Sequence, residues 1–190
     1  MPLEPSERAT LLELAHRSIA EGRPRAQPPP RQSWPPSLTE WRAAFVTLRR
    51  EGELRGCRGT IEPRGALAEE VWHNAWASAY TDPRFPPIAP EELDTLEVAI
   101  SVLTPLERLE AQSDEALAAL LRPGLDGLVL RCGSAAATFL PAVWEMLPDP
   151  RQFIAQLKVK AGWPPRHWPV GMAVLRYGAE TFLSSPARSP

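Results

Sequence analysis

The chain has 190 residues, a formal net charge of -2, 44% hydrophobic residues and seven tryptophans. That length buries a sizeable core, and the apolar content excludes a disordered chain. Near neutrality gives no global pull towards nucleic acid or an anionic membrane, and no apolar run reaches the roughly eighteen residues of a spanning helix.

Leu11, Leu12, Ala15 and Ile19 fall at helical spacing, which predicts an amphipathic helix from Pro5 to Ala20. Its opening, MPLEPSERATLLELA, lacks the basic-then-apolar order of a secretory signal. Residues 21–36, EGRPRAQPPPRQSWPP, forbid regular structure. They read as an extended excursion that docks Trp34, with a flexible linker as the alternative. Phe45 to Leu48 suits a strand, Glu51-Gly52-Glu53 a turn, and Leu54 the start of a short return strand. Residues 65–80 place Leu67, Val71 and Ala75 on one helical face, and TDPRFPP ends that helix in a rigid loop.

Leu96, Val98, Ile100 and Val102 alternate as in a half-buried strand. Ser113, followed by two acids, opens a short helix to 121. GLVLRCG is a strand with a glycine turn, and ATFLPAV begins a second, which leads into a short helix through Trp144 and Met146. Asp149 as N-cap, Pro150 at N1 and Gln152 at N3 start a helix that stops at Gly162. VGMAVLRYGAETF supplies the closing strand or strands, and 184–190 is a frayed tail. Short strands and helices without a regular βαβ rhythm predict an α+β fold.

The chemistry concentrates at LRGCRGT, residues 54–60. Gly56 and Gly59 allow a sharp turn with exposed amides, and Arg55 and Arg58 would stabilise a thiolate or hold an anion. Three readings stand: a reactive Cys57, a ligand-binding turn without covalent chemistry, and a structural turn. His73, with Glu69 and Glu70 on the turn before it, is the nearest base for Cys57. In TDPRFPP, Asp82 and Arg84 either face a ligand or satisfy one another. Lys158 and Lys160, the only lysines, add candidate anion contacts. Cys57 and Cys132 are too few for a disulfide framework, which predicts a reducing cytoplasm. Cys57, His73 and Cys132 have no metal-ligand spacing, and no Walker, dinucleotide or HExxH motif occurs. We therefore expect no metal and no cofactor.

FVTL at 45–48, LRGCRGT, DPRFPP at 82–87, Glu92-Leu93, SVLTP at 101–105, LPAVWEMLPDP at 140–150 and LKVKAG at 157–162 occur in this order. Together they closely resemble the AMMECR domain family, known in bacteria and archaea as AmmeMemoRadiSam system protein A, over residues 7–183 of a single domain. The resemblance implies an α+β fold with a largely antiparallel, barrel-like mixed sheet, flanking helices and two lobes of unequal size. It also implies a cleft at the LRGC residues, regarded as a candidate active site. The family motif reads LRGCIG, so Arg58 stands where isoleucine is usual, and Ala99 where many bacterial relatives have glutamate. His73 belongs to none of the motifs.

Relatives are encoded beside, or fused to, Memo-like and radical SAM proteins, which implies a part in a shared modification pathway. Two functions follow. One is a protein that binds a small anionic or peptide ligand through Arg55, Gly56, Arg58, Gly59, Asp82 and Arg84. The other is an enzyme with Cys57 as nucleophile or acid/base. No nucleic acid or membrane partner is expected.

Overall fold

A computed structural model describes residues 2–22 and 33–184. Most of the proline-rich stretch (23–32) and the last six residues of the tail lie outside the described residues. Two compact units emerge, one comprising the chain up to Leu103 together with the return from Glu180, and the other Thr104–Ala179.

In the first unit, α1 (Pro5–Ala20) begins with proline at N1. Glu7 reaches back to accept the Glu4 N–H at 2.8 Å, which satisfies a donor that the helix leaves open. Its buried face carries Leu11, Leu14, Ala15 and Ile19. A single turn, α2 (Pro36–Thr39), precedes the hairpin β1 (Ala44–Arg50) and β2 (Glu53–Gly59). Glu51 and Gly52 turn the hairpin with positive φ, as a two-residue connection requires. Then come α3 (Leu67–Tyr80), a 3-10 turn at Pro90–Thr95, β3 (Leu96–Leu103) and, much later, β8 (Ala179–Leu183). The sheet order is β2-β1-β3-β8, with β1 antiparallel to both neighbours. The inward face of β3 buries Leu96, Val98, Ile100 and Val102, as their alternation requires. Those side chains join Val46, Leu48, Leu67, Val71 and Trp72 in one core, against which Trp34 packs.

The second unit holds β4 (Glu107–Leu109), α4 (Asp114–Leu120), β5 (Gly127–Cys132), β6 (Ala135–Phe139), a 3-10 turn at Pro141–Glu145, α5 (Pro150–Lys160) and β7 (Ala173–Tyr177). Ser113 caps α4 by accepting from Ala116 N–H, and Asp149 caps α5 by accepting from Arg151 N–H. The sheet order is β4-β7-β5-β6. Its core centres on Phe153, which stacks on Trp144 with ring centroids 3.9 Å apart. Lys158 is fully buried, paired with Asp114 and lying 5.1 Å from the Trp168 ring. Its ammonium is thus held within the unit and is not available as a solvated anion contact.

The expected barrel-like sheet is absent. Each sheet is open, with β2 and β8 as the edges of one and β4 and β6 as the edges of the other. Closing a barrel requires the first and last strands to pair at a consistent tilt and stagger, and four strands with unpaired ends do not. Among the described residues, no helix is long and apolar enough to cross a membrane.

Candidate functional site

Residues 54–59 are not a turn after a strand; they are the strand. β2 runs to Gly59 and pairs with β1, Cys57 opposite Thr47 and Gly59 opposite Phe45. Neither Gly56 nor Gly59 has positive φ, so the glycines do not serve a sharp backbone turn. They serve close approach. A methyl group on Gly56 would overlap the Ser78 carbonyl of α3, and one on Gly59 would overlap the Phe45 ring. Ser78 uses that proximity: its hydroxyl accepts the Arg58 N–H at 2.8 Å and lies 2.8 Å from the Val46 carbonyl. Arg58 and Val46 are register partners, so this hydroxyl bridges the ladder between β1 and β2.

The outer edge of β2 meets the loop that follows α3 through a reciprocal exchange. Arg55 donates two hydrogen bonds to the Glu92 carboxylate at 2.8 and 3.0 Å, and another to the Pro86 carbonyl at 2.8 Å. In return, Asp82 accepts the Cys57 N–H at 2.9 Å. Arg84 grips Asp82 through two side-chain bonds, at 2.7 and 3.0 Å, and its Nη2 approaches the Cys57 carbonyl at 3.5 Å. The Arg84 hydrogen bonds hold the Asp82 carboxyl far below the ordinary carboxylate range, against its burial. Glu92 is lowered to about 2, chiefly by Arg55. Unpaired strand edges are liabilities, and this edge is sealed by side chains from a proline-stiffened loop. Arg55, Asp82 and Arg84 thus come together, each with a partner inside the fold.

Cys57 is half-buried, its sulfur 3.3 Å from the Thr47 hydroxyl. His73 is not that sulfur's hydrogen-bond partner; its Nδ1 lies 2.8 Å from the Glu69 carbonyl. Because a carbonyl only accepts, Nδ1 carries the proton, which leaves Nε2 without a partner among the described residues. Cys132, also half-buried, points its sulfur at the Val170 carbonyl, 3.4 Å away. A hydroxyl can donate to a thiolate, whereas a carbonyl repels one. Cys57 should therefore react several-fold faster than Cys132 with iodoacetamide in the native protein. Mass spectrometry of the labelled peptides measures both rates, and equal or inverted rates would refute the assignment.

On the α3 side of β2 lies a cleft of about 450 Å³. Arg58, Gly59 and Thr60 line it from the strand and its exit, Arg64 and Gly65 from the following loop, and Glu69, Glu70 and His73 from α3. Cys57 is not part of this lining. Glu70 is buried and accepts from Thr60 Oγ1 at 2.6 Å and from Arg64 N–H at 2.8 Å. Arg58 and Arg64 are exposed and form no ion pair among the described residues. Sequence reading found Arg58, Gly59 and His73 but missed Arg64, which lies in a short polar loop without a motif. It also missed the partnership of Glu92, which was visible only as one of the ordered motifs. Among the described residues, no group of three or more His, Cys, Asp and Glu side chains could hold a metal ion.

The AMMECR1 family model matches residues 12–182. The chain belongs to the AMMECR1 family. A protein of Thermofilum pendens is 38% identical over 96% of this chain and 92% of its own length. A Methanothermobacter thermautotrophicus protein is 40% identical, with 86% of each chain covered. The crystal structure of uncharacterized protein PH0010 from Pyrococcus horikoshii superposes with a TM-score of 0.89 at 35% identity, covering 99% of this chain and 96% of that one. The AMMECR1 assignment thus rests on nearly the full length of sequence and fold.

Proposed function

We propose that this AMMECR1-family protein binds a small anionic or peptide ligand in the cleft at the end of the LRGC strand. The observation that carries the reading is the pair of exposed arginines, Arg58 and Arg64, that line the cleft without a carboxylate partner among the described residues. Guanidinium groups hold carboxylates and phosphates through forked, charge-assisted hydrogen bonds. The Arg55–Glu92 and Asp82–Arg84 pairs hold β2 against its loop and so fix one wall of the site. The enzyme reading needs a base at Cys57, and Thr47 is the partner its sulfur has; binding is the better-supported function. The family resemblance supports work alongside Memo-like and radical SAM proteins, which co-purification from the source followed by mass spectrometry would test.

A panel of carboxylates, phosphates and short peptides, titrated into 15N-labelled protein, tests the binding itself. A ligand should shift the amides of Gly59, Thr60, Gly65 and His73, and the double variant R58Q/R64Q should bind it at least about tenfold more weakly. No shift with any compound, or equal affinity in the variant, would refute the reading.

A further inference from the structure

Four acidic side chains are buried among the described residues: Glu70, Asp82, Glu92 and Asp126. Three are ion-paired within the fold, Asp82 to Arg84, Glu92 to Arg55 and Asp126 to Arg122. Glu70, 6% exposed, has no cationic partner among the described residues, and it is the one of the four that lines the cleft. A buried glutamate is ordinarily paired, because an opposite charge best offsets the hydration it has lost.

The fold engages Glu70 with neutral donors. Thr60 Oγ1 donates to Oε2 at 2.6 Å, with the Asn74 side-chain amide 3.4 Å from the same oxygen. The Arg64 backbone N–H donates to Oε1 at 2.8 Å. A carboxylate has about four acceptor sites. Oε2 meets two donors and Oε1 one, so the open site is on Oε1. That asymmetry selects the kind of cation that fits. A planar guanidinium binds best across both oxygens, and Oε2 is already taken. A compact ammonium needs a single oxygen. A metal ion would need further ligands, and no group of three or more metal-ligating side chains occurs among the described residues.

We infer that the cleft takes a ligand with a primary ammonium, of the amino-acid or peptide class, and that Glu70 is the acceptor for that group. This rests on the binding reading above, in which Arg58 and Arg64 hold the anionic end, and it selects the peptide over a purely anionic ligand.

Dialanine, N-acetyl-dialanine and Nα-acetyl-lysine are titrated into the full chain at about pH 6.5, where free amines are protonated, with the cleft amides followed by NMR. All three carry a carboxylate. The first adds an α-ammonium, the third a side-chain ammonium, and the second has neither. One of the ammonium compounds should bind about tenfold more tightly than N-acetyl-dialanine, the advantage of a charge-assisted hydrogen bond. Which one does so separates a chain terminus from a lysine side chain. In E70Q that compound should fall to the affinity of N-acetyl-dialanine, whereas loss of a merely structural glutamate would weaken all three alike. In the wild type, the Arg64 amide, bonded to the same oxygen, should shift further with that compound than with N-acetyl-dialanine, a reading that needs no variant. Equal affinities in the wild type, tighter binding of N-acetyl-dialanine, or a preference retained in E70Q overturns the inference while the binding reading stands. Uniform weakening in E70Q does the same. If none of the three shifts the cleft, the inference falls, and the compound panel decides separately on the binding reading.

Discussion

Replacing Gly56 by alanine is expected to lower folding stability by about 3 kcal/mol, read as a drop in the urea midpoint with little change in slope. A substitution that removes a glycine ordinarily gains about 0.4–1 kcal/mol by restricting the unfolded chain. Here the new methyl meets the Ser78 carbonyl of α3, and backbone cannot rotate away as a flexible side chain can. α3 must withdraw from β2. The Ser78 hydroxyl then loses the Arg58 N–H and Val46 carbonyl that it bridges, worth about 1 kcal/mol each in the usual case. Strain and lost hydrogen bonds together exceed the entropic gain. Hydrogen exchange at the Arg58 amide should accelerate in the same variant. A change below about 0.5 kcal/mol would mean that the α3–β2 spacing is not what Gly56 protects.

Replacing Glu92 by alanine should cost a further class of stability, again about 3 kcal/mol, because it leaves the nearly buried Arg55 fork without its carboxylate. The acid response gives an independent reading. Glu92 is lowered to about 2 from the ordinary 4.5, first by the Arg55 hydrogen bonds and then, against burial, by the Ala89 N–H and by Arg50. Its folded value lies below its unfolded one. Its contribution is therefore fully present above about pH 4.5 and is lost as pH falls towards 2. E92Q, which is neutral throughout, should lack this component, so its stability curve should approach that of the wild type between pH 4.5 and 2. Parallel curves across that window would remove Glu92 from the account. Asp82, held low by Arg84, loses its contribution in the same direction and keeps the wild-type curve falling after Glu92 has titrated.

Some of this structure is written locally. Ser113 and Asp149 cap their helices where the sequence places them, because a cap needs only its own side chain and the next turn's amides. The alternation of Leu96, Val98, Ile100 and Val102 identifies β3 for a similar reason. β4 was not legible: Glu107–Leu109 shows no pattern of its own and is a strand only because β7 pairs with it. The barrel-like sheet was what the family resemblance implied, and the sheet orders β2-β1-β3-β8 and β4-β7-β5-β6, each with two edge strands, correct it.

At the site, residue types were readable and partners were not. Arg55, Asp82 and Arg84 announce charge, and Asp82 and Arg84 meet locally, two residues apart. That Arg55 meets Glu92 and that Asp82 holds the Cys57 amide depends on contacts 37 and 25 residues apart. Gly56 and Gly59 of LRGCRGT carried the most misleading local signal, because a turn and a close approach both demand a missing Cβ. Sequence by itself determined the helix starts, the hairpin, the core-facing strand positions and the family. Tertiary structure decided that LRGC is an edge strand, that its neighbouring charges close on each other, and that Arg58, Arg64 and His73 share a cleft. The reason is physical: propensity and periodicity act within a few residues, whereas charge neutralisation and close packing belong to whichever groups the fold brings together.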